Sequence, residues 1–376
     1  MEPRTLPTAI ANPNSPRGLG RRLLRSSLLE ALAYPHGVDR YVELVRPLLV
    51  KSDVRAEVTA VRRQTAKSTT LTLRPNQNWR GLRAGQFVGV SVEIDGVRET
   101  RSYSPAGSEH AAAGEIELTV STHPEGKVSR YLRDNAKPGM VVGLSQADGG
   151  FVLPDERPER VLLISGGSGV TPVMAMLRTL CDEGYEGEIG FLNYARSPEL
   201  ALYGAELDQL TDRHAGLRVA RGFTRGRGSM LAGRFCRDHL DAVTSAHSSA
   251  ATFVCGPPAL IDSVRSLWAE DRLAEPAVET FTPPAFSFDT DGAEGTISFA
   301  ASGREAVNSG LPLLEQAEDA GLAPAHGCRM GICNTCSCRK TAGAVRNVFS
   351  GEISSIGDEH IRICVSIPLG DVALDL

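Results

Sequence analysis

The sequence lacks long apolar runs and an excess of positive charge. No stretch approaches about 18 consecutive apolar residues, so no membrane-spanning helix is predicted. The formal net charge of -5 argues against a general nucleic-acid binder, because such proteins are usually basic. The Leu-rich segment after Arg22 is interrupted by Arg25 and Glu30, which leaves no clean apolar core for an export signal. We therefore expect a cytoplasmic protein that spans no membrane and binds no nucleic acid.

Histidine pairs of the kind that hold iron in oxygen-activating enzymes are also missing. The eight histidines form no H-x-x-H or H-x-x-x-H pair, and no C-x-H pair exists for a Rieske cluster. We also find no internal repeat. If the protein supports an oxidation, its final substrate is expected to be oxidised on another protein.

The chain is long enough for several domains. Its 376 residues suggest two to three domains of about 100–200 residues each. Short, often alternating β-branched segments predict an antiparallel barrel with one inserted helix, and a later alternation of strands and helices predicts a parallel sheet covered on both faces. The expected segments are an N-terminal lead with short helices at 1–52, the barrel at 53–155, the α/β domain at 156–275, a linker at 276–284 and a small α+β domain at 285–376.

Cysteines cluster in the last segment. Cys328, Cys333 and Cys336 have the spacing C-x4-C-x2-C, and Cys364 follows further along the chain. This is the plant-type spacing of a 2Fe–2S cluster, in which four thiolates hold two irons. A zinc knot or four buried thiols is the alternative, although paired C-x2-C hooks are missing. Cys338 adds a fifth thiol, which we expect not to be a ligand.

Two motifs in the barrel segment suit a flavin. A flavin needs a cation for its phosphate, a flat aromatic surface for its ring and a polar group near N5, and a glycine turn that opens a helix suits its pyrophosphate. The alternatives are a surface charge for Arg101 and an ordinary helix cap for Ser129. The flavin-binding candidates are Arg101, Ser102, Tyr103 and Ser104 at a strand end, and Gly126, Lys127, Val128 and Ser129 at a helix start.

Two further motifs in the α/β segment suit a nicotinamide dinucleotide. A glycine-rich turn between a strand and a helix lets the backbone approach a pyrophosphate, and a second turn at a later strand end is where a nicotinamide would lie. Plain tight turns are the alternative for both. The candidates are Gly166, Gly167, Ser168, Gly169, Thr171 and Pro172 in the first turn, and Cys255, Gly256 and Pro257 in the second.

Arg196 bears on the choice of dinucleotide. It follows the second strand of the α/β segment, where the adenosine ribose usually lies. An acidic residue there would favour NAD, whereas an arginine can pair with a 2′-phosphate. We therefore expect NADPH as donor, with NADH as the alternative.

Taken together, these motifs resemble the ferredoxin–NADP reductase superfamily with a fused plant-type ferredoxin domain, over about residues 53–376. The resemblance implies a flavin-binding β-barrel, a nucleotide-binding α/β domain and a β-grasp ferredoxin domain, with FAD favoured over FMN. It implies that Arg101 and Ser129 hold the flavin phosphates, and that Tyr103 packs on the ring. It also implies a catalytic centre where Ser104 approaches flavin N5 while Thr171 and Cys255 border the nicotinamide.

The domain order resembles reductase components of multicomponent oxygenases. Such a chain would take hydride from NADPH onto the flavin and pass single electrons through the cluster to a partner oxidase. The segment YVELVRPLLVKSDVRAEV is similar to the lead-in of bacterial reductases that serve membrane fatty acyl-CoA desaturases, so we expect such a partner, with transient docking at the inner membrane. A Rieske or haem monooxygenase is the alternative partner, and a redox-sensing iron–sulfur protein is the alternative class.

Overall fold

The structure is a computed structural model. It describes residues 46–50, 53–111, 114–123, 126–225, 231–281, 293–327, 329, 331 and 335–376. The lead and most of the short helices expected at 1–52 therefore lie outside the described residues. The described part of that segment holds a single 3-10 turn, Pro47–Leu49. None of the described helices combines the length and apolar character needed to cross a bilayer.

The first domain is a curled antiparallel sheet, as the alternating segments predict. Its strands follow the spatial order β4-β3-β6-β1-β2-β5. Alternate residues such as Val58, Leu73 and Leu118 are fully buried inside it, because successive side chains of a strand point to opposite faces. The elements are β1 (Val54–Arg63), β2 (Ser68–Pro75), β3 (Val88–Ile94), β4 (Val97–Tyr103), β5 (Ile116–Ser121), helix α1 (Lys127–Asn135) and β6 (Val141–Leu144).

The second domain is a parallel sheet with helices, which confirms the predicted α/β class. Its strands follow the order β10-β9-β8-β7-β11-β12. The continuous apolar run of β7 is buried, as expected for a central parallel strand. The elements are β7 (Arg160–Gly166), α2 (Val170–Asp182), β8 (Glu188–Ala195), α3 (Gly204–Arg213), β9 (Leu217–Phe223), β10 (Leu231–Ala232), β11 (Ala251–Cys255), α4 (Pro258–Glu270) and β12 (Ala277–Glu279).

Strand β12 lies in the segment 276–284 that we expected to be a linker. It pairs in parallel with β11, with Val278 opposite Val254. A three-residue strand between prolines is too short to show a periodic pattern, so only the sheet beside it reveals it. Residues 282–284 lie outside the described part, and the domain limits stay predictions.

The third domain combines a five-stranded mixed sheet, in the order β14-β13-β19-β15-β17, with a small β16–β18 pair. Lys340 on β15 is fully buried, and its Nζ donates to the carbonyls of Ser355 at 3.0 Å and Gly357 at 2.6 Å. The elements are β13 (Thr296–Phe299), β14 (Arg304–Val307), α5 (Leu313–Asp319), β15 (Ser337–Ala342), β16 (Val345–Asn347), β17 (Glu359–Arg362), β18 (Ser366–Pro368) and β19 (Val372–Leu374).

Candidate functional site

The flavin motif lies at the end of β4. Arg101 and Tyr103 share one face of the strand, whereas Ser102 points to the other. Burial raises the pKa of the Tyr103 hydroxyl above its ordinary value, so this ring stays neutral. Ser102 Oγ is buried and has no hydrogen-bond partner in the described part of the chain. Ser104 follows the strand and is buried.

The two cations of the flavin motifs meet at one carboxylate. Lys127 Nζ donates to Glu99 Oε1 at 2.9 Å, and Arg101 Nη1 lies 3.6 Å from Glu99 Oε2. The hydrogen bond from Lys127 lowers the pKa of Glu99, so the carboxylate stays charged. Strand β4 and helix α1 thus bring two cations together, and this pairing fits a phosphate-bearing cofactor.

The first turn of α1 is closely packed. A side chain added to Gly126, which precedes the helix, would place its Cβ 2.4 Å from Ser129 Oγ. Ser129 Oγ donates back to the Gly126 carbonyl at 3.2 Å, and Val128 is buried. The missing side chain at Gly126 therefore makes room for the Ser129 hydroxyl at the helix start, where the pyrophosphate cradle is predicted.

The two dinucleotide motifs pack directly on each other. A Cβ added at Gly169 would lie 2.3 Å from the Cys255 carbonyl oxygen, and one added at Gly166 would lie 2.8 Å from Pro257 Cδ. Gly167, Ser168 and Gly169 form a single 3-10 turn, and Thr171 and Pro172 lie in the first turn of α2. The structure thus brings the carboxyl ends of β7 and β11 together, where an α/β sheet binds its ligand.

Ser104 and Cys255 converge on a carboxylate that the sequence analysis missed. Ser104 Oγ donates to Glu279 Oε2 at 3.4 Å, and Cys255 Sγ lies 4.0 Å from the same oxygen. Burial raises the pKa of Glu279 to about 8 and that of the Cys255 thiol well above its ordinary value. The one signal for Glu279 in the sequence is a carboxylate among the apolar residues of AVETF.

Thr171 and Arg196 lie at the same sheet edge without joining this group. Thr171 is buried, and its Oγ1 donates to the Ser168 carbonyl at 3.1 Å. Arg196 directly follows β8 with an exposed side chain, and its carbonyl accepts from the Arg225 amide at 2.7 Å. Their roles toward a dinucleotide remain predictions.

Two of the predicted cluster ligands meet in the third domain. Cys336 Sγ and Cys364 Sγ are buried and 3.1 Å apart, and the Gly331 amide donates to Cys364 Sγ at 3.3 Å. Converging thiols with an amide donor fit an iron–sulfur cluster. Cys328 and Cys333 lie outside the described residues. Cys338 Sγ instead lies 3.9 Å from the Asp375 carbonyl, and burial raises its pKa.

Family models match the three domains in turn. They are an oxidoreductase FAD-binding domain over residues 56–152, an oxidoreductase NAD-binding domain over 163–266 and a 2Fe-2S iron-sulfur cluster binding domain over 299–369. These matches confirm the expected FAD, NAD(P) and 2Fe–2S cofactors.

Several curated proteins are similar over most of their length. An NADPH oxidoreductase of Mycobacterium tuberculosis is 34% identical, covering 90% of this chain and 88% of its own. The glycine betaine monooxygenase reductase subunit of Pseudomonas aeruginosa is 31% identical, over 77% of this chain and 86% of its own. A component of the 1,2-phenylacetyl-CoA epoxidase of Escherichia coli is 26% identical, over 85% of this chain and 96% of its own.

A solved structure shares the fold. Phthalate dioxygenase reductase matches with a TM-score of 0.57 and 22% identity, covering 86% of this chain and 98% of that one. This likeness confirms the architecture of three joined domains.

Proposed function

Because this chain belongs to the family of flavin- and 2Fe–2S-containing NAD(P)H oxidoreductases that includes the reductase subunits of oxygenases, we propose that it carries electrons from NADPH to an oxygen-activating partner protein. The observation that carries the proposal is the meeting of Ser104, Cys255 and Glu279. These residues come from the flavin domain and from two strands of the nucleotide domain. A flavin and a nicotinamide held by those domains would share this one point.

The described side chains suit that exchange. When bound, a flavin accepts a hydride from a nicotinamide and releases single electrons to an iron–sulfur cluster. Glu279, with a pKa of about 8, holds a proton at neutral pH beside Ser104 Oγ. Ser104 and Cys255 are buried, which keeps water from the reacting point. The Gly331 amide offsets negative charge at Cys364 Sγ.

The preference for NADPH is assigned to Arg196. Its exposed side chain at the end of β8 is free to meet a 2′-phosphate. We expect Arg196→Glu to lower the ratio of kcat/KM for NADPH to that for NADH by about tenfold or more. The reason is that the variant loses the ion pair between Arg196 and the 2′-phosphate and gains a repulsion between the new carboxylate and that phosphate. Arg213→Glu, an exposed change at the far end of α3, is the matched control. An unchanged ratio in Arg196→Glu would contradict the assignment.

The first partner that we propose is a membrane-bound fatty acyl-CoA desaturase. The resemblance of YVELVRPLLVKSDVRAEV to the lead-in of desaturase reductases supports it. This partner would bring the reductase to the inner membrane. The names of relatives such as the glycine betaine monooxygenase reductase subunit support a second candidate, the oxygenase component of a Rieske or haem monooxygenase.

Reconstitution separates these partners. Purified holoprotein and NADPH are added either to membranes that carry an acyl-CoA desaturase or to a purified Rieske oxygenase, and product is measured. We expect NADPH-dependent desaturation. Product from the Rieske oxygenase alone would replace the first partner with the second. Cytochrome c reduction below about 1 per second would sit low for an enzyme and would favour a redox sensor instead.

A further inference from the structure

Helix α2 links the glycine-rich turn of the predicted dinucleotide site, at 166–169, to the flavin domain. Its N-terminus follows Gly169, which packs on the Cys255 backbone. Near its other end, Arg178 Nη1 donates to the Ala106 carbonyl and to Glu117 Oε1, both at 2.8 Å. Ala106 lies two residues after Ser104, and Glu117 is on β5, so one side chain of the nucleotide domain binds two segments of the flavin domain.

The same guanidinium is held from the nucleotide-domain side. Arg178 Nε and Nη2 donate to the two oxygens of Glu206, each at 2.7 Å. Its Cζ lies 5.2 Å above the ring centre of Tyr203. The Tyr203 hydroxyl in turn bonds Thr119 Oγ1 of the flavin domain at 2.5 Å. The side chain of Arg178 is only 14% exposed, so these partners fix it in one orientation.

Thr179, the next residue of α2, also links the nucleotide domain to the flavin domain. Thr179 Oγ1 accepts the amide of Glu109 at 3.1 Å, and Glu109 belongs to the same segment that follows Ser104. An α-helix rises about 1.5 Å per residue, so Thr171 and Arg178 are separated by roughly 10 Å along a stiff rod. The helix is therefore a spacer between that glycine-rich turn and the segment 104–109.

Apolar packing alone does not define this spacing. Ala106, Phe151 and Leu153 of the flavin side share one core with Val173 and Leu177 of α2. Such contacts hold the domains together but are non-directional. A buried ion pair, by contrast, contributes little net stability relative to apolar residues of similar volume, whereas a planar guanidinium fork imposes direction.

We propose that Arg178 is a positioning residue, which fixes the distance between Ser104 and the start of α2, where Thr171 is predicted to border the nicotinamide, and thereby sets the rate of hydride transfer. This inference rests on the proposed function. A displacement of about 1 Å between reacting atoms lowers a rate by up to roughly 100-fold. Arg178→Met removes the fork but keeps an unbranched apolar stem, and Arg178→Lys keeps the charge without the fork.

The test is anaerobic flavin reduction at saturating NADPH, with C4-deuterated NADPH as a second substrate. We expect Arg178→Met to slow hydride transfer roughly 10- to 100-fold with an undiminished isotope effect, while the Kd for NADP+ changes by less than about twofold. Arg178→Lys should recover the rate in part. Arg160→Met, which breaks the exposed Arg160–Glu188 pair within the nucleotide domain, should leave the rate unchanged.

Arg178→Met also leaves the carboxylates of Glu206 and Glu117 without this partner, so misfolding is a competing explanation. The triple variant Arg178→Met/Glu206→Gln/Glu117→Gln removes both unpaired charges; it should regain thermal stability but not the rate. In the flavin-free protein, hydrogen exchange of segment 104–111 should become faster in Arg178→Met, while β8 keeps its protection.

The outcomes separate the two claims. An unchanged reduction rate in Arg178→Met, or a rate restored together with stability in the triple variant, overturns the positioning role. If the wild-type holoprotein itself is not reduced by NADPH, the proposed function fails first.

Discussion

Glu279 shows how one residue takes its chemistry from its surroundings. An exposed glutamate is ionised at neutral pH, but burial beside Ser104 and Cys255 raises the pKa of this one to about 8. Desolvation outweighs the hydrogen bond from Ser104, because no cation pairs with it among the contacts that the structure describes. Perturbed acids of this kind concentrate at functional sites.

The pKa of Glu279 makes stability depend on pH. The folded chain keeps the proton up to about pH 8, whereas the unfolded chain loses it near 4.5, so the free energy of unfolding falls as pH rises between these values. Glutamine does not ionise, so Glu279→Gln should lack this pH-dependent fall in the free energy of unfolding, which we expect to be on the order of 1–3 kcal/mol in the wild type. Urea denaturation of the flavin-free protein at pH 5 and pH 8 measures it. Glu275→Gln, at an exposed ion pair, is the control and should keep the pH dependence of the wild type. If the unfolding free energy of Glu279→Gln fell with pH as steeply as that of the wild type, the assignment of this pH dependence to Glu279 would be wrong.

We predict that the cysteines at the 2Fe–2S centre of the third domain separate into four ligands and one bystander, Cys338. Cys364→Ser should lower the iron content to near zero and abolish the EPR signal of the reduced protein, because an alcohol replaces a thiolate ligand. Cys338→Ala should keep both, since Cys338 Sγ faces the Asp375 carbonyl rather than the Cys336–Cys364 pair. Loss of iron in Cys338→Ala would show that the fifth thiol is a ligand after all.

At the scale of elements, close packing between turns shapes the dinucleotide site. The start of α2 meets the end of β11 so closely that only glycine fits at position 169. The glycine brings the helix N-terminus, with its positive potential, to the carboxyl edge of the sheet.

Gly169→Ala tests this contact. The added Cβ would meet the backbone of Cys255 and Gly256, which cannot rotate away, so we expect a loss of about 1–3 kcal/mol in unfolding free energy and weaker NADP+ binding. Urea denaturation and ligand titration measure the two effects. Gly150→Ala, where no atom lies within 4 Å of the added Cβ, is the matched control. Equal behaviour of the two variants would contradict the close-packing account.

Elements with long, regular patterns are predictable from this sequence. The bounds of β7 agree with the apolar run in RVLLISG, those of β9 agree with the segment LRVARGF, and the glycine turn marks the start of α2. Strand β12 is not predictable, because three residues carry no period and owe their strand to pairing with β11. Strands β13 and β19 lie in the predicted segments GTISFAA and VALDL, whereas the short strands β14, β16, β17 and β18 of the third domain escaped for the same reason as β12.

The site follows the same division. Motifs such as RSYS and GGSG contain their own chemistry and so identify their residues locally. Glu279 belongs to the site only because β12 places it beside Ser104. Arg178 contacts the flavin domain only because α2 packs against that domain. Contacts between segments that lie far apart in the chain produce no recognisable residue pattern in the sequence.

At the scale of the whole molecule, the flavin and nucleotide domains form a single unit. Besides Arg178, Arg157 Nη2 of the nucleotide side joins Glu109 at 3.1 Å and Glu183 at 2.6 Å. Together with the shared apolar core, these pairs hold Ser104 against Cys255 and Glu279. The third domain carries its own core around Cys336 and Cys364, so the metal centre has a separate scaffold.

We expect electrons to move through this one chain from NADPH to flavin to cluster. Anaerobic stopped-flow mixing of the holoprotein with NADPH, followed at flavin and iron–sulfur wavelengths, measures the order of these steps. Flavin absorbance should bleach first and cluster absorbance second, and Cys364→Ser should keep the first phase while losing the second. Cluster bleaching that precedes flavin bleaching, or cluster bleaching without any flavin phase, would contradict the account.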